Sequence, residues 1–157
     1  ARRLWQRYNL TDPEAAGERA DILLRLLGRV GRGATIEPPF YCDYGTQVTL
    51  GTGVFVNFGA VFLDPAPITI GHEAQIGPDV QLLTADHPLD AAARAAGPEL
   101  ARPIVIGARA WLGGGVIVCP GVSIGAGSTI GAGSVVTRDV PAGVIAVGNP
   151  CRVIRQL

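Results

Sequence analysis

The sequence predicts a triangular parallel β-helix, a mainly β fold in which each turn of the chain consists of three short strands. The main observation is a six-residue period of apolar residues, which fits neither an α-helix nor an isolated strand. The residues that keep this period are Leu50, Val56, Phe62, Ile70, Ile76, Leu82, Ile106, Leu112, Val118, Ile124, Ile130 and Val136. Glycine directly follows many of them, as at Gly51, Gly71 and Gly107. We expect each hexad to supply one strand and one corner, with the apolar side chain inside and a small residue at the turn.

Composition and charge support one modest domain. The chain has 157 residues, is 48% hydrophobic and contains 22 glycines, which many tight corners require. The formal net charge is zero, so no global electric field recruits nucleic acid or an acidic membrane surface. No apolar run approaches the length of a transmembrane helix. We therefore expect neither nucleic acid nor a membrane as a partner.

The three cysteines indicate the compartment. Cys42, Cys119 and Cys151 are widely spaced, odd in number and form no C-x-x-C pair. This pattern is typical of reduced thiols and supports neither a disulfide framework nor a zinc site. We expect a cytoplasmic protein.

Residues 1–33 are expected to form an N-terminal helical segment that caps one end of the solenoid. Thr11 or Asp12 can cap a helix, and Pro13 suits its first turn. An apolar set then follows helical spacing, and a group of glycines ends it. The apolar set is Ala16, Ala20, Leu23, Leu24 and Leu27, and the glycines are Gly28, Gly31 and Gly33.

Residues 34–157 are expected to form the β-helix, and the six-residue period is interrupted twice within them. Eight residues separate Phe62 from Ile70, and 24 separate Leu82 from Ile106. The second interval has no hexad pattern, so we expect a long loop at 83–103 with a helical turn near 91–96. Loops of this length in a compact domain are usually functional or disordered. The C-terminal tail alternates polar and apolar residues and is expected to form a final strand.

The two histidines differ in their surroundings. His72 directly follows Gly71 at an expected corner, where an exposed side chain without a role is the ordinary interpretation. His87 lies in the long loop, and Pro88 restricts it to extended backbone conformations. A neutral imidazole is the usual general base near neutral pH. His87 is therefore a candidate base, although an unused loop histidine would fit these observations equally well.

Other chemistries have little support in the sequence. There is no G-x-S-x-G nucleophile elbow, and no phosphate-binding or dinucleotide-binding glycine motif. Catalytic zinc on a β-helix of the carbonic anhydrase type needs three histidine ligands, and the chain has two histidines. We expect no metal cofactor.

Five segments resemble the maltose and galactoside O-acetyltransferases of the hexapeptide-repeat acyltransferase superfamily, which have nodulation-factor acetyltransferases as relatives. The segments are IEPPFYCDYG, VFVNFGAVFLD, ADHPLD, IGARAWLGGGVIVCPGVSIG and IGAGSVVTRDVPAGVIAVGNPCRVIR. The hexads alone identify only the superfamily, whereas Y-C-D-Y-G, N-F, L-D and D-H-P-L-D in this order indicate the sugar-acetylating branch. The resemblance extends from about Leu4 to Leu157 and implies a left-handed parallel β-helix that uses acetyl-CoA.

The resemblance also implies roles for individual residues. His87 matches the general base for the sugar hydroxyl, and Asn57 matches a residue between the acceptor and the acetyl group. Further acceptor-binding positions are matched by Asp43, Asp64 and Glu99. Positions that bind coenzyme A are matched by Gly77, Trp111, Gly114, Ala132, Thr137, Arg138, Arg152 and Arg155. Among them, Trp111 covers the pantetheine arm and Gly114 supplies an oxyanion donor.

The sequence therefore favours an acetyl-CoA-dependent O-acetyltransferase that acts directly on a small sugar, as a homotrimer with sites between subunits. Glu99 favours a maltose-like acceptor, while residues 1–10 lack the acidic residue with which family members help to hold the sugar. Two alternatives stay open. One is a non-catalytic β-helix scaffold, and the other is an acyltransferase acting on an amine or antibiotic.

Overall fold

A computed structural model describes all of residues 1–157 and confirms the parallel β-solenoid, with three sheets as the faces of a triangular prism. Face A contains β1 (Arg29–Val30), β4 (Val48–Leu50), β7 (Ile68–Ile70), β12 (Ile104–Ile106) and β15 (Ser123–Ile124). Face B contains β2 (Thr35–Ile36), β5 (Phe55–Val56), β8 (Gln75–Ile76), β13 (Trp111–Leu112), β16 (Thr129–Ile130) and β18 (Val144–Val147). Face C contains β3 (Phe40–Cys42), β6 (Ala60–Leu63), β9 (Gln81–Leu83), β14 (Ile117–Val118) and β17 (Val135–Val136).

The core is a stack of the residues that keep the six-residue period. All twelve of them are at most 1% exposed. On face A the parallel register places Leu50 opposite Ile70 and Ile70 opposite Ile106, so equivalent side chains stack from one coil to the next. Each fully buried side chain of this kind contributes about 1.5–3 kcal/mol relative to an exposed one.

The glycines that follow the core residues are required by the close approach of successive coils. A Cβ added at Gly71 would lie 2.5 Å from the backbone nitrogen of Ala108 in the next coil. A Cβ added at Gly107 would lie 2.4 Å from the nitrogen of Ala126. Any side chain at these positions would separate the coils and break the parallel hydrogen bonds between them.

The three corners of the prism are named here by the faces that they join. Corner AB leads from face A to face B, corner BC leads from B to C, and corner CA leads from C back to A. Every interruption of the six-residue period falls at corner CA, including the step of eight residues from Cys42 to Leu50 and the step of 24 from Leu82 to Ile106. Corner CA is therefore the place where the chain can add residues without disturbing the stacked core.

Two helices lie at the N-terminal end of the solenoid, α1 (Arg2–Asn9) and α2 (Ala16–Leu26). The expected start of a helix at residues 11–13 is wrong, because the Asp12 carboxylate instead accepts the backbone N–H of Glu14 at 2.8 Å in a turn before α2. The buried hydroxyl of Tyr8 donates to the carbonyl of Ile36, which ties α1 to the first coil. The first coil begins at β1, where Val30 pairs with Leu50. The solenoid therefore begins before residue 34, where the sequence predicted its start.

The long loop has structure of its own. Within it, β10 (Ala85–Asp86) pairs antiparallel with β11 (Leu100–Ala101), and α3 (Ala91–Ala95) confirms the expected helical turn. The C-terminal tail forms β19 (Arg152–Gln156), which pairs antiparallel with β18 as the last strand of face B. None of the three helices combines the length and the apolar character that crossing a membrane would require.

Candidate functional site

Corner BC brings together four of the expected site residues around one concavity. Asn57, Gly77, Trp111 and Gly114 line it, and its other residues are Phe55, Gln75, Ile76, Pro78 and Gly113. Trp111 is 54% exposed, although tryptophan is highly buried on average. An exposed indole beside a concavity can cover the apolar part of a ligand.

The backbone at corner BC offers a free hydrogen-bond donor. The N–H of Gly113 donates to the carbonyl of Ile130 at 2.8 Å, and the N–H of Gly115 donates to the carbonyl of Pro78 at 2.8 Å. The N–H of Gly114, which lies between them, donates to no group of the chain. Since its neighbours fix the local backbone, this N–H is a preorganised donor for an oxygen that carries negative charge.

Asn57 presents its amide nitrogen rather than its amide oxygen. Its Oδ1 accepts the backbone N–H of Phe58 at 2.9 Å, and its own backbone N–H donates to the carbonyl of Ile76 at 2.9 Å. The side chain is therefore held at the end of β5, and its NH₂ group has no acceptor within the chain. The amide hydrogens are available to a carbonyl or hydroxyl oxygen in the concavity.

The outer surface of face B forms a continuous track from this concavity to the C-terminal strand. Trp111 pairs with Thr129, Thr129 with Ile145, and Ile145 with Arg155. Three strand spacings separate Trp111 from Arg155, or about 14 Å. The track therefore has an aromatic side chain at one end and a guanidinium at the other, as a ligand with an apolar arm and anionic groups would require.

Corner CA carries the expected acceptor-binding carboxylates. Asp43 is exposed in the turn after β3, and Glu99 lies in the long loop just before β11. The pKa of Asp43 is raised above its usual value, chiefly by burial and then by the negative charges of Asp64 and Glu99. The charge of Glu99 therefore acts on Asp43, although the two residues lie far apart in the sequence.

Asp64 differs from the other two carboxylates because it is completely buried. Its Oδ1 accepts the backbone N–H groups of Asp43 at 3.1 Å and Tyr44 at 2.9 Å, and its Oδ2 accepts that of Gln47 at 3.3 Å. Asp64 was expected to bind the acceptor, but within this chain its carboxylate has no exposed surface. It supports the turn that carries Asp43 from beneath.

The thiol nearest to this turn is chemically inert. Burial, followed by the negative charges of Asp64 and Asp43, raises the pKa of Cys42 to about 12. The thiol therefore stays protonated at neutral pH, and a protonated thiol is a poor nucleophile. All three cysteines are free.

His87 follows β10 in the long loop and is exposed. Its backbone N–H donates to Oδ1 of Asp86 at 2.9 Å. It does not line the concavity at corner BC, which contains no residue of the loop. The two expected catalytic residues, His87 and Asn57, therefore lie at two different corners of the prism, at opposite edges of face C.

The other residues expected to bind coenzyme A lie in different parts of the structure. Arg138 and Arg152 line one concavity at the C-terminal end of the solenoid, where the chain after β17 meets the start of β19, and Thr137 immediately precedes Arg138. Ala132 is exposed at corner BC, and Arg155 lies on face B. One copy of the chain thus gathers the expected residues into two groups, neither of which contains the whole set.

Several residues near these groups were missed from the sequence. Phe55 and Gln75 precede core residues by one position, as Trp111 does, and the strand register places them beside it on face B. On face B, the residue directly before each core residue therefore lies on the outer track. The six-residue period could have identified Phe55 and Gln75 in this way. Arg94 and Arg102 contact the segment around His87, and no sequence pattern indicates these contacts.

The chain is similar to known proteins over most of its length. A model of bacterial transferase hexapeptide repeats (six repeats) matches residues 103–138. Nodulation protein L of Rhizobium meliloti (strain 1021) is 52% identical over 148 residues, which cover 94% of this chain and 81% of that protein.

Two solved structures are closely similar over almost the whole chain. A maltose O-acetyltransferase from Clostridium difficile 630 superposes with a TM-score of 0.98 at 44% identity, covering 99% of this chain and 83% of the other. A galactoside acetyltransferase in complex with coenzyme A superposes with a TM-score of 0.97 at 38% identity, covering 99% and 78%.

Proposed function

Because this chain belongs to the hexapeptide-repeat family of maltose and galactoside O-acetyltransferases, we propose that it moves an acetyl group from acetyl-CoA directly to a hydroxyl of a small sugar. The chain is an acetyltransferase, and the acceptor that we propose is maltose-, glucose- or galactoside-like. The observation that carries the proposal is the pair of complementary half-sites at corners BC and CA. One offers an exposed indole and a free backbone N–H, and the other offers an exposed histidine and carboxylates.

The division of the two half-sites supports a homotrimer with active sites between subunits. If corner CA of one copy faces corner BC of the next, His87 approaches the concavity that Asn57 and Trp111 line. A head-to-tail contact between two different corners closes into a ring when the rotation fits, and a triangular prism suits a threefold ring. The loop that carries His87 has an almost fully exposed Leu89 at its tip, which such a contact would bury.

In the proposed reaction, His87 acts as the general base. It removes the proton of the sugar hydroxyl while the oxygen attacks the carbonyl carbon of the acetyl thioester. The N–H of Gly114 stabilises the negative charge that develops on the carbonyl oxygen, and the amide of Asn57 holds the reacting groups together. The C–S bond then breaks, His87 returns the proton to the departing sulfur, and no acyl-enzyme forms.

Coenzyme A would lie along the track on face B and across the interface. Trp111 covers the pantetheine arm, and Gly77 and Ala132 lie beside it at corner BC. The phosphates are expected near the remaining residues of the predicted set, Thr137, Arg138, Arg152 and Arg155. Guanidinium groups suit phosphate oxygens because they donate paired, charge-assisted hydrogen bonds.

The acceptor would lie against corner CA, where Asp43 and Glu99 are exposed. Carboxylate oxygens accept hydrogen bonds from the hydroxyls of a polyol. They would also attract an ammonium group, which keeps an amine acceptor as the second candidate. We propose that Asp64 contributes indirectly, by fixing the turn that carries Asp43.

The test is release of free thiol from acetyl-CoA with a panel of sugars, amines and antibiotics as acceptors. We expect turnover with at least one sugar and a product that mild hydroxylamine cleaves, because an O-acetyl ester is labile and an N-acetyl amide is not. An amide product with no transfer to any sugar would overturn the sugar as acceptor. Absence of turnover with every acceptor in the panel would contradict the proposed acceptor class.

We also propose that the protein works in the cytoplasm. The three cysteines of the chain are free, which suits a compartment in which thiols stay reduced.

A further inference from the structure

The loop that carries His87 has almost no core of its own. None of the side chains from Ala85 to Pro103 is buried, and α3 has only five residues. Apolar packing within the chain therefore does not determine where the imidazole points. A general base must lie within hydrogen-bond distance of the proton that it removes, so other contacts must set the direction of this segment.

On the N-terminal side of His87, an ion pair holds the backbone. Oδ1 of Asp86 accepts a hydrogen bond from the backbone N–H of His87 at 2.9 Å. Oδ2 of Asp86 accepts a hydrogen bond from Nη2 of Arg102 at 2.7 Å. The guanidinium and the hydrogen bond from His87 lower the pKa of Asp86, so it stays ionised at neutral pH. One carboxylate thus links Arg102 to the backbone of His87.

Arg102 is itself attached to the solenoid. Its backbone N–H donates to the carbonyl of Thr84 at 3.0 Å, and Thr84 is fully buried. Its side chain lies across Gly121 on the neighbouring coil, where an added Cβ would lie 3.3 Å from Cβ of Arg102 and 3.4 Å from its Cδ. The contacts therefore run from the rigid coil through Arg102 and Asp86 to His87.

A second arginine supports the C-terminal side of His87. Nη1 of Arg94 donates to the carbonyls of Pro88 at 3.0 Å and Leu89 at 3.1 Å. Arg94 is held in α3, which Asp90 caps by accepting the backbone N–H of Ala93 at 2.8 Å. The segment His87–Leu89 is therefore supported from both sides by arginines.

We propose that Arg102, acting through Asp86, is a positioning residue that directs the imidazole of His87 at the acceptor hydroxyl, with Arg94 as the second support. The proposal rests on the proposed role of His87 as the general base. The pair is exposed, and exposed ion pairs contribute little to folding stability. Catalysis, by contrast, is sensitive to displacements of the base by about 1 Å. The pair should therefore matter for rate and not for stability.

The test compares Arg102→Met, Asp86→Asn and the double variant with the wild-type enzyme. Asparagine at position 86 keeps an oxygen for the N–H of His87 but turns an NH₂ group toward Arg102, which breaks the ion pair. We expect each single variant to lower kcat about tenfold, and the double variant to be no slower than either, because the two residues act as one unit. The KM for acetyl-CoA should stay unchanged, the melting temperature should stay within about 3 °C, and Arg102→Lys should restore part of the rate.

Arg7→Met is the matched control. Arg7 forms another exposed ion pair, with Glu18 at 2.6 Å, which joins the two N-terminal helices and shares no hydrogen bond with the loop, so its removal should leave kcat unchanged. Wild-type kcat in Arg102→Met, additive losses in the double variant, or losses that follow a fall in melting temperature would each overturn the proposal. A parallel His87→Ala variant separates the two claims. If it is inactive while Arg102→Met is fully active, the base stands and the positioning role falls.

Discussion

The carboxylate of the fully buried Asp64 accepts the backbone N–H of Tyr44 at 2.9 Å, across one step of the solenoid. The same carboxylate holds the N–H groups of Asp43 and Gln47. Without Asp64, three backbone N–H groups of this turn would have no hydrogen-bond partner. The carboxylate therefore fixes the turn to the neighbouring coil. Because this turn carries the exposed Asp43, the geometry of corner CA depends on a residue that solvent does not reach.

Replacing Asp64 by asparagine should destabilise the protein. The asparagine amide keeps one acceptor oxygen, but its NH₂ group would face a backbone N–H group that now binds a carboxylate oxygen. At least one backbone N–H group would therefore lose its hydrogen-bond acceptor. We expect the free energy of unfolding to fall by about 2 kcal/mol. Denaturant unfolding monitored by circular dichroism measures this. Asp139→Asn is the control, because Asp139 is exposed and accepts only one backbone N–H. An equal effect in the two variants would contradict the role of burial.

Replacing Asp43 by asparagine should stabilise the protein at neutral pH. The pKa of Asp43 is raised in the folded chain, so its ionisation disfavours the folded state. This cost is absent below the ordinary aspartate pKa of about 3.9 and is complete once the pH exceeds the raised value. The melting temperature of Asp43→Asn should therefore exceed that of the wild type at pH 7, with the difference disappearing near pH 3.5. A difference that grows as the pH falls would contradict the sign of the shift.

Removing the imidazole of His87 should nearly abolish turnover. We expect His87→Ala to lower kcat by roughly a hundredfold or more, the usual contribution of a positioned base. Binding of acetyl-CoA should be nearly unaffected, because Trp111 and the arginines proposed to hold coenzyme A are unchanged in this variant. His72→Ala is the control. His72 is exposed at corner AB, where its Nδ1 accepts the N–H of Thr52 at 2.9 Å, and its loss should leave kcat unchanged.

The arginines at the C-terminal end should bind the phosphates of coenzyme A. Replacing Arg152 and Arg155 together by alanine should raise the KM for acetyl-CoA, and the rise should shrink at high salt because exposed charge contacts are screened. Initial rates at two ionic strengths measure this. Arg3→Ala with Arg25→Ala removes the same charge elsewhere on the surface and should leave KM unchanged. Equal effects in the two double variants would indicate general charge attraction only.

The sequence was sufficient for the solenoid because its period is dictated locally. Every sixth residue must be apolar to stack in the core, and the glycine after it must admit the next coil, so both requirements are visible along the chain. The beginning of the solenoid was harder to find. Val30, Ile36 and Cys42 keep the same period, but the step of eight residues to Leu50 hides their continuity with the later coils.

The site was predictable in its residue types and not in their environments. Asp43 and Asp64 are both aspartates after a strand of face C, yet one is exposed and the other is completely buried. Burial depends on which backbone groups surround a side chain in three dimensions. In the same way, the contacts of Arg102 with Asp86 and Gly121 join residues that have no periodic relation in the sequence.

The central claim is that His87 of one subunit deprotonates an acceptor hydroxyl that attacks acetyl-CoA held at corner BC of another subunit. Mixing two inactive variants, His87→Ala and Asn57→Ala, after unfolding and reassembly tests it most directly. If each site takes His87 and Asn57 from different subunits, about a quarter of the sites in a random mixture have both groups intact, and activity should return to roughly that fraction of wild type. If the mixed assemblies form but remain as inactive as the two parents, the site belongs to a single chain and the account is contradicted.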